Sequence, residues 1–584
     1  MKKNIKKILS LACAFSLLLS LNGCGETVAS SYGSYELTPK VYYGPNTPDG
    51  SASYAKDETS QLTEADIQKM NNGKARFVYG NEGYVSFLTG RFSDKKVNDH
   101  EDAIAALQRV AGLIGLGAGS EFFASHGSRD SHGYTYYTFQ QRYGENTVLY
   151  SALTVIVDPD GYTAGLTCSF LPNIGIAQET EDIGPDKALE VIKEAFAKYN
   201  LTFYPENTHK VAVAKNGNIY NAYAIYSNNP DSTGMEFDLR YYEFFVTTSG
   251  QILNFYPVAS MGTGNLDATR AEDYFKNLET MNKTIMVTRW DGTKETLTVP
   301  VSYNSTSKTW YLADNKRKIA VGLYNDIANY NITTLITSSN GEDWRNQDLL
   351  AYDRYIKAYD YYAALGLYSV DGVGVPILVC TQMPDNNACF FGIHAGWACF
   401  GASDLNVYSE GMDVVGHEYT HGVFDSSMTS NKYLGITGAI NESYADIMGN
   451  IMEMLYGMTS DKQWLIGENA GGAMRSMSSP RKYQQPVSTT DNYFADPNNT
   501  DYDNGGVHVN NSLLNQMAYL LYEEGMTLEQ ERSLWLTTMD MLTPLSGFKE
   551  VHEALLLSID INGFDAEYKD LLTRAFTEAG MLDY

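Results

Sequence analysis

The 584-residue chain has little positive charge for its size. It contains 42 Lys and Arg residues against 70 Asp and Glu residues, which gives a formal net charge of −28. A surface of this sign repels phosphate backbones and anionic lipid, so the composition argues against nucleic-acid binding and against charge-driven membrane adhesion. Hydrophobic residues make up 43% of the chain, enough for large cores. The length allows roughly three or four domains.

Long apolar runs are also scarce, and the one at the N-terminus has the features of an export signal. Lysines at positions 2, 3, 6 and 7 precede an apolar run over 8–21. That run is too short for a good membrane span but has the length of a signal-peptide core. It ends in Leu21-Asn22-Gly23-Cys24, which resembles a bacterial lipoprotein signal cleaved before Cys24. We expect a lipid on Cys24 that anchors the protein outside the cytoplasmic membrane. The alternative is a simple secreted protein with an incidental cysteine.

Cysteine is too rare for a disulfide framework. The chain has six cysteines, and three of them lie close together at Cys380, Cys389 and Cys399. Cys389 and Cys399 could bridge a strand pair, while three buried thiols fit equally well.

Histidine is rare as well, yet two of the nine form the most informative pattern in the chain, His417-Glu418-Tyr419-Thr420-His421. Histidines four residues apart on a helix lie on one face, so both rings can reach one metal ion. Glu418 points beside that ion, where a carboxylate can act as a general base. This pattern predicts a catalytic zinc helix. A helix with two surface histidines is the alternative.

Two further clusters complete the expected site. Glu442 and Asp446 are four residues apart in an apolar stretch that predicts a packed helix. Glu442 could be the third zinc ligand, and Asp446 could accept the N–H of a liganding histidine. The third cluster is an Asn-Gly-Gly turn that runs into His508.

Together these clusters resemble the thermolysin-type neutral metallopeptidases. The matching motifs, in order, are Val414-Val415-Gly416-His417-Glu418-Tyr419-Thr420-His421, Gly438-Ala439-Ile440-Asn441-Glu442 with Asp446, Met474-Arg475-Ser476-Met477, and Asp503-Asn504-Gly505-Gly506-Val507-His508. The resemblance covers roughly the C-terminal half of the chain. It implies an α+β fold with a β-rich N-terminal lobe, a helical C-terminal lobe and a zinc helix along the cleft between them.

The resemblance also implies roles for individual residues. The matched zinc ligands are His417, His421 and Glu442; the catalytic groups are Glu418, His508, Tyr433 and Asp503; the substrate-binding positions are Asn387, Ala388, Arg475, Val414 and Met474. Because Val414 and Met474 match the walls of an apolar pocket, we expect cleavage on the N-terminal side of bulky hydrophobic residues.

Calcium is expected on the same grounds. Asp413, Glu453 and Glu468 match carboxylates of the family's calcium site, but two further acidic positions are Gln463 and Leu465 here. Since a double site needs many oxygen ligands, the loss of two carboxylates favours one ion over two. Ordinary surface acids are the alternative.

The region before the peptidase resembles a family propeptide, which would make the chain an inhibited precursor. Patterns over 134–139, 148–157 and 241–246 predict strands, and the apolar spacing over 185–199 predicts a helix. We expect α+β subdomains meeting near residue 170 and maturation near Met261-Gly262-Thr263-Gly264. A stably attached accessory domain is the alternative.

These expectations give one domain plan and two functional hypotheses. The plan is a lipoprotein signal peptide (1–23), a flexible tether (24–60), two propeptide subdomains (61–170 and 171–262), a peptidase N-terminal lobe with the zinc helix (263–425) and a helical C-terminal lobe (426–584). The first hypothesis is an extracytoplasmic zinc endopeptidase that cleaves proteins or peptides, is inhibited by its own propeptide, and is anchored by lipid or released when mature. The second is a cell-surface binding protein or adhesin on an inactive peptidase fold.

Overall fold

The computed structural model of the chain describes residues 41–43, 51–53, 61–80, 83–116, 121–172, 175–176, 181–199, 201–205, 208–215, 218–228, 241–257, 274–323, 335–383, 386–394, 397–403, 407–428, 432–458, 464–500 and 502–584. The expected signal peptide, Cys24, most of the tether and the expected maturation segment 261–264 lie outside these residues. None of the described helices combines the length and the hydropathy that a bilayer crossing needs.

An antiparallel sheet occupies the first part of the chain. Its strands are β1 Val41–Tyr43, β2 Ser51–Ser53, β3 Arg76–Tyr79, β4 Val85–Thr89, β5 Glu121–Arg129, β6 Thr135–Tyr143, β7 Asn146–Thr147, β8 Leu153–Val157 and β9 Thr163–Cys168. They follow the order β1-β5-β6-β8-β9-β4-β3, with β2 beside β5 and β7 beside β6. Helices α1 Glu64–Met70 and α2 His100–Val110 bury Ile67 and Leu107 against one face of this sheet.

A second, smaller sheet follows. It contains β10 Gly175–Ile176, β11 Thr202–Phe203, β12 His209–Lys215, β13 Asn218–Asn228, β14 Tyr241–Thr247 and β15 Ile252–Pro257, together with helix α3 Pro185–Ala195. Strand β13 lies at the centre, because β10, β11, β12 and β14 all pair with it. Ala188, Leu189 and Ile192 of α3 pack on Phe244 and Val246 of the sheet.

The strands predicted over 134–139 and 241–246 and the helix predicted from Pro185 are present, although the helix ends earlier, at Ala195. The strand predicted over 148–157 was wrong in its first half, since only Leu153–Val157 is a strand. Tyr150 has a φ of 61°, and a left-handed residue interrupts the extended backbone there.

The third region supplies the β-rich lobe. One sheet has the order β16-β17-β18-β21, formed by β16 Leu278–Thr288, β17 Lys294–Asn304, β18 Thr309–Tyr311 and β21 Thr337–Ser338. The other has the order β19-β20-β22-β24-β23, formed by β19 Ala313–Asp314, β20 Ile319–Leu323, β22 Ile377–Met383, β23 Ala388–His394 and β24 Trp397–Ser403. Helix α4 Asn346–Ala363 packs on this second sheet through Tyr355, whose ring lies 4.8 Å from that of Phe400.

Strand β23 is at an edge of its sheet among the described strands, and it corrects one expectation. Cys389 of β23 lies opposite Gly401 of β24, and Cys399 lies opposite Gly392. The two cysteines are therefore not cross-strand partners, and they form no disulfide with each other or with Cys380. The disulfide alternative was wrong, and the buried-thiol alternative describes Cys380 and Cys399.

Helices dominate the last region. They are α5 Met412–Ser427, α6 Gly435–Leu455, α7 Asp503–Asn510, α8 Ser512–Glu523, α9 Leu528–Met539, α10 Phe548–Asn562 and α11 Glu567–Glu578, with short 3₁₀ turns at Tyr408–Glu410 and Pro480–Tyr483 and a small ribbon of β25 Leu465–Ile466 and β26 Arg475–Ser476. Helix α6 is buried on nearly all sides, with Ile447, Met448 and Ile451 fully buried, as expected for a central helix. The predicted α+β fold with a β-rich lobe and a helical lobe is confirmed.

The first sheet packs directly on the helical lobe. Phe87 and Tyr136 share one hydrophobic core with residues of α9 and α10. At the edge of that contact, Arg76 pairs with Glu553 at 2.6 Å, and the Ser86 hydroxyl donates to Glu550 at 2.7 Å. The N-terminal region is thus folded against the peptidase lobe in this chain.

Candidate active site

Helices α5 and α6 approach each other so closely that glycine is needed on both. A Cβ on Gly449 would lie 2.4 Å from the backbone oxygen of Asp413, and a Cβ on Gly416 would lie 2.9 Å from the Gly449 Cα. Both distances are shorter than a carbon side chain tolerates, so the backbones touch at this crossing. The crossing sets the separation of side chains that α5 and α6 direct toward each other.

Three of those side chains converge on one point. The Nε2 atoms of His417 and His421 are 3.0 Å apart, and each lies 3.4 Å from a carboxylate oxygen of Glu442. Ligand atoms about 2.0–2.2 Å from a tetrahedral zinc ion lie about 3.3–3.5 Å from one another. Glu442 is fully buried, and within the described structure its Oε2 accepts no hydrogen bond. The three groups therefore fit a zinc ion.

The opposite nitrogen of each imidazole is also held. His417 Nδ1 lies 2.8 Å from Asp446 Oδ1, and His421 Nδ1 lies 2.7 Å from Asn441 Oδ1. Each acceptor places the N–H of its ring on Nδ1 and leaves the Nε2 lone pair facing the point of convergence. Both rings are thus fixed in the tautomer that binds a metal.

Asp446 is a buried carboxylate surrounded by donors. Besides His417, it accepts two hydrogen bonds from Arg475, at 2.6 and 2.8 Å, and one each from Asn511 and Asn515, at 2.7 and 2.9 Å. Burial alone would raise the pKa of Asp446, but the charges of Arg475 and His417 hold that pKa well below its usual range. The carboxylate therefore stays ionised inside the protein.

Glu442 is ionised for a similar reason. Burial would raise the pKa of its carboxyl group, yet three neighbouring histidines and Arg475 bring that pKa down to about 2. Glu418, one residue after His417 on α5, is buried with 7% of its surface exposed. Its helical position directs it beside the convergence point, as the sequence predicts for a general base.

His508 also lies at the site, and a sharp turn in the backbone before it sets its position. The turn before it has positive φ angles at Asp503, Asn504, Gly505 and Gly506, so the backbone folds back and both Asp503 carboxylate oxygens contact His508. Asp503 Oδ1 lies 2.6 Å from His508 Nδ1, and Oδ2 accepts the His508 backbone N–H at 2.8 Å. Burial would lower the pKa of His508, but Glu442 and Asp503 raise it to about 9.

Tyr433 lies beside His508 and Glu442. Its hydroxyl group is 3.3 Å from His508 Nε2 and donates a hydrogen bond to Glu442 Oε1. Tyr433 precedes α6 in a segment where Leu434 has extended backbone. The structure thus brings Tyr433, His508 and Asp503 together with the three metal-binding groups.

The residues expected to bind substrate lie at strand β23, on helix α5 and in the ribbon of β25 and β26. Ala388 begins the edge strand β23, and Asn387 is exposed just before it. Arg475 is held by Asp446, and Val414 is buried on α5. Met474 is 36% exposed, and its Cε would lie 2.8 Å from a Cβ on Gly467, so it packs over the loop after β25.

A second acidic cluster includes Asp413, which lies one helical turn before His417 on α5. Carboxylate oxygens of Asp413, Glu453 and Glu468 all lie within 4.8 Å of one another. Asp413 Oδ1 and Glu453 Oε2 are buried and accept no hydrogen bond in the described structure. Burial, followed by the charges of Asp413 and Glu468, raises the pKa of Glu453 to about 10. Oxygen ligands that repel one another in this way fit a hard cation such as Ca²⁺.

Sequence reasoning missed four amides that support the site: Asn441, Gln485, Asn511 and Asn515. Asn441 stands immediately before Glu442 on α6, and this position next to an expected zinc ligand was the available signal. Gln485 lies outside the recognised motifs, and its sequence neighbourhood gave no signal.

The catalytic and helical regions both match known family models. Residues 289–425 match the thermolysin metallopeptidase catalytic domain, and residues 430–581 match the thermolysin metallopeptidase alpha-helical domain. Since both domains match in order and without overlap, residues 289–581 form a thermolysin-type metallopeptidase region.

Relatives agree with this assignment. The chain is 30% identical over 308 residues to the thermostable neutral protease NprT of Geobacillus stearothermophilus, an alignment that covers 48% of this chain and 55% of that protein. It is 27% identical over 379 residues to the gelatinase of Enterococcus faecalis, covering 61% of this chain and 71% of that protein. Among solved structures, the precursor of protealysin from Serratia proteamaculans is 24% identical over 45% of this chain and 86% of that chain, with a TM-score of 0.37. The chain spans about half the length of the first of these relatives.

Replacing Gly449 by alanine tests the helix crossing. The added Cβ would meet the Asp413 backbone, so α5 and α6 must separate, at a cost of about 1–3 kcal/mol. We expect G449A to bind zinc at least tenfold more weakly than the parent, as measured by chelator competition on the full chain. Gly112 is the control, because its Cβ would meet only the Gln61 side chain, at 3.6 Å. Equal zinc affinity of G449A and the parent would contradict the crossing as the determinant of ligand spacing.

Proposed function

We propose that this chain is a zinc-dependent endopeptidase that acts outside the cytoplasm on proteins or peptides. The observation that carries the proposal is the convergence of His417, His421 and Glu442 at tetrahedral ligand spacing, with both histidine tautomers fixed. Glu418 beside the ligands and the pair His508 and Tyr433 opposite them add the groups that peptide hydrolysis needs.

The roles of the protein groups follow from their positions. His417, His421 and Glu442 would hold the zinc ion, which when bound would supply Lewis-acid chemistry and would lower the pKa of a bound water to about 7. Glu418 takes a proton from the attacking water and passes it to the leaving amine. His508, oriented by Asp503, and Tyr433 donate hydrogen bonds to the oxyanion of the tetrahedral intermediate.

Substrate contacts follow the same reasoning. An extended peptide would add to the free edge of β23 near Asn387 and Ala388. Arg475, held rigid by Asp446, would bind a backbone carbonyl of the substrate. Because Val414 and Met474 would wall the pocket beside the leaving group, we propose cleavage before bulky hydrophobic residues.

The precursor and its location are part of the proposal. Residues 61–170 and 171–262 would act as an inhibitory propeptide that assists folding, with a cut near 261–264 on maturation. The packing of Phe87 and Tyr136 on the helical lobe supports a folding role. A lipid on Cys24 would hold the precursor at the outer face of the cytoplasmic membrane, and the mature enzyme could be released.

Calcium completes the cofactor proposal. Asp413, Glu453 and Glu468 would hold one calcium ion next to α5, the helix that carries His417. The ion would cancel the repulsion between their carboxylates and so stabilise the end of the zinc helix.

Substitution of Glu418 by glutamine tests the enzyme directly. The amide keeps the shape of the side chain but cannot accept the proton, so E418Q should bind one zinc ion per chain while its hydrolysis of a quenched peptide with Phe after the cleaved bond falls at least about 10³-fold. Zinc is quantified by elemental analysis and hydrolysis by fluorescence. Both proteins are assayed after removal of residues 61–262, because the proposed propeptide would inhibit them. Equal rates for E418Q and the parent would then refute this mechanism, and an inactive parent with bound zinc would favour a binding function.

Removal of the His508 side chain tests the oxyanion role. Loss of one such donor costs about 10²–10³ in kcat. We therefore expect kcat of H508A to fall by a factor in this range, with KM changed less than about threefold. Both constants are measured by steady-state kinetics on the same peptide. The control is H552A, since His552 lies on α10 and contacts Thr573. An unchanged kcat in H508A would remove His508 from the mechanism.

Calcium binding predicts a crossover in stability. In the E418Q background, calcium at 100 times its Kd should stabilise the protein by about 2.7 kcal/mol. Without calcium, the raised pKa of Glu453 keeps its carboxyl group protonated at neutral pH, so E453Q should match or exceed its parent in melting temperature. With calcium it should gain much less, because it lacks one carboxylate ligand. E524Q, at an exposed residue, is the control. Equal calcium gains in E453Q and its parent would contradict the site.

A further inference from the structure

One buried amide contacts both halves of the candidate site. Gln485 is 4% exposed, and its Nε2 donates to the backbone oxygen of His508 at 2.8 Å and to Asn511 Oδ1 at 2.9 Å. Asn511, itself 1% exposed, donates through Nδ2 to Asp446. Asp446 in turn holds the Nδ1 of His417. A chain of hydrogen bonds therefore leads from a metal-binding histidine to the carbonyl of the oxyanion histidine.

The direction of each bond follows from chemistry. The Asp446 carboxylate only accepts, so the Asn511 amide must turn its NH₂ toward it and its oxygen toward Gln485. Gln485 then faces two acceptors, Asn511 Oδ1 and the His508 carbonyl, and must present its own NH₂ to both. The opposite orientation of Gln485 would place oxygen against oxygen twice.

The loop that carries Gln485 holds its backbone in place. It follows the 3₁₀ turn Pro480–Tyr483, and Gln484 has a left-handed backbone with φ of 61°. The Gln485 backbone N–H donates to Pro480 O at 3.2 Å. Because the main chain is fixed on one side and both amide hydrogens are used on the other, Gln485 has little freedom to rearrange.

Spacing makes such a link useful. His417 and His508 contact different oxygens of the Glu442 carboxylate: His417 Nε2 lies 3.4 Å from Oε2, and His508 Nε2 lies 3.3 Å from Oε1. In the proposed reaction one carbonyl oxygen must meet both the metal held by His417 and the donor on His508. Errors of about 1 Å in such an arrangement are costly.

We propose that Gln485 is a positioning residue that keeps the metal-binding arm, from Asn511 through Asp446 to His417, in register with the oxyanion arm at His508. This inference rests on the proposed hydrolytic function. Gln485 does not touch the substrate; it acts through Asn511 and through the His508 main chain.

The test compares Q485M, N511A and the double variant in the full chain. Q485M keeps the volume of the side chain and removes both donors, whereas N511A cuts only the metal-binding arm. We expect each single variant to weaken zinc binding about tenfold in chelator competition, as for other groups that orient a ligand. At saturating zinc, where every site is occupied, Q485M should also lower kcat about tenfold, with KM nearly constant.

Non-additivity is the specific signature. In the N511A background, Q485M should leave the zinc Kd unchanged within twofold, because its path to the metal is already cut, but should still lower kcat through His508. The matched control is N562L, which removes an amide with two donor bonds on α10, to Thr537 and Ser558. N562L should lower the melting temperature without changing zinc Kd or kcat.

Either of two results would overturn the inference. The first is a Q485M variant that matches N562L, with reduced stability and unchanged zinc Kd and kcat. The second is a double variant in which the zinc effects of Q485M and N511A multiply. If Q485M does not fold, Q485N serves, since its shorter amide cannot reach both acceptors. The kcat values are measured after removal of the proposed propeptide. If the parent binds zinc but then hydrolyses no peptide, the proposed function fails, and the zinc Kd values of the single and double variants still decide the role of Gln485.

Discussion

The close contact of α5 and α6 at Gly416 and Gly449 is the constraint on which the site depends. Two histidines on one helix can meet a glutamate on another only if the helix axes are near and fixed. The glycine backbones touch at this crossing, and the distance from His417 and His421 to Glu442 follows from it. The apolar core around Ile447 and Ile451 holds the crossing in place, since it surrounds α6 on nearly all sides. The fold therefore sets the geometry of the site.

Two carboxylate clusters on the same helices show how neighbouring side chains set the pKa of a buried carboxyl group. Glu442 and Asp446 are buried among histidines, Arg475 and amides, and their pKa values are lowered. Asp413 and Glu453 are equally buried but face other carboxylates, and their pKa values are raised. The first cluster matches a nitrogen-rich site for zinc, and the second matches an oxygen-only site for calcium.

Local patterns in the sequence were sufficient for part of this arrangement. The four-residue spacing of His417 and His421 is a property of one helix, and the fold class followed from recognised motifs along the peptidase region. The glycine crossing could not be predicted, because Gly416 and Gly449 are 33 positions apart and each alone resembles an ordinary helical glycine. Gln485 was missed for the same reason, since its partners Asn511 and His508 become neighbours only on folding.

The failures have physical causes as well. The strand expected from residue 148 was broken by the left-handed Tyr150, a conformation that side-chain pattern does not reveal. The pairing of Cys389 with Cys399 failed because strand register sets which residues face each other, and a bulge between Phe390 and Gly392 shifts that register. Hydrophobic pattern alone specifies neither feature.

The most direct test of the account is a crystal structure of the zinc-loaded protein with anomalous diffraction data collected on both sides of the zinc absorption edge. The account predicts a strong anomalous peak about 2.0–2.2 Å from the Nε2 atoms of His417 and His421 and from the Glu442 carboxylate. Zinc bound elsewhere, or these three side chains turned away from one another in the presence of the ion, would contradict it.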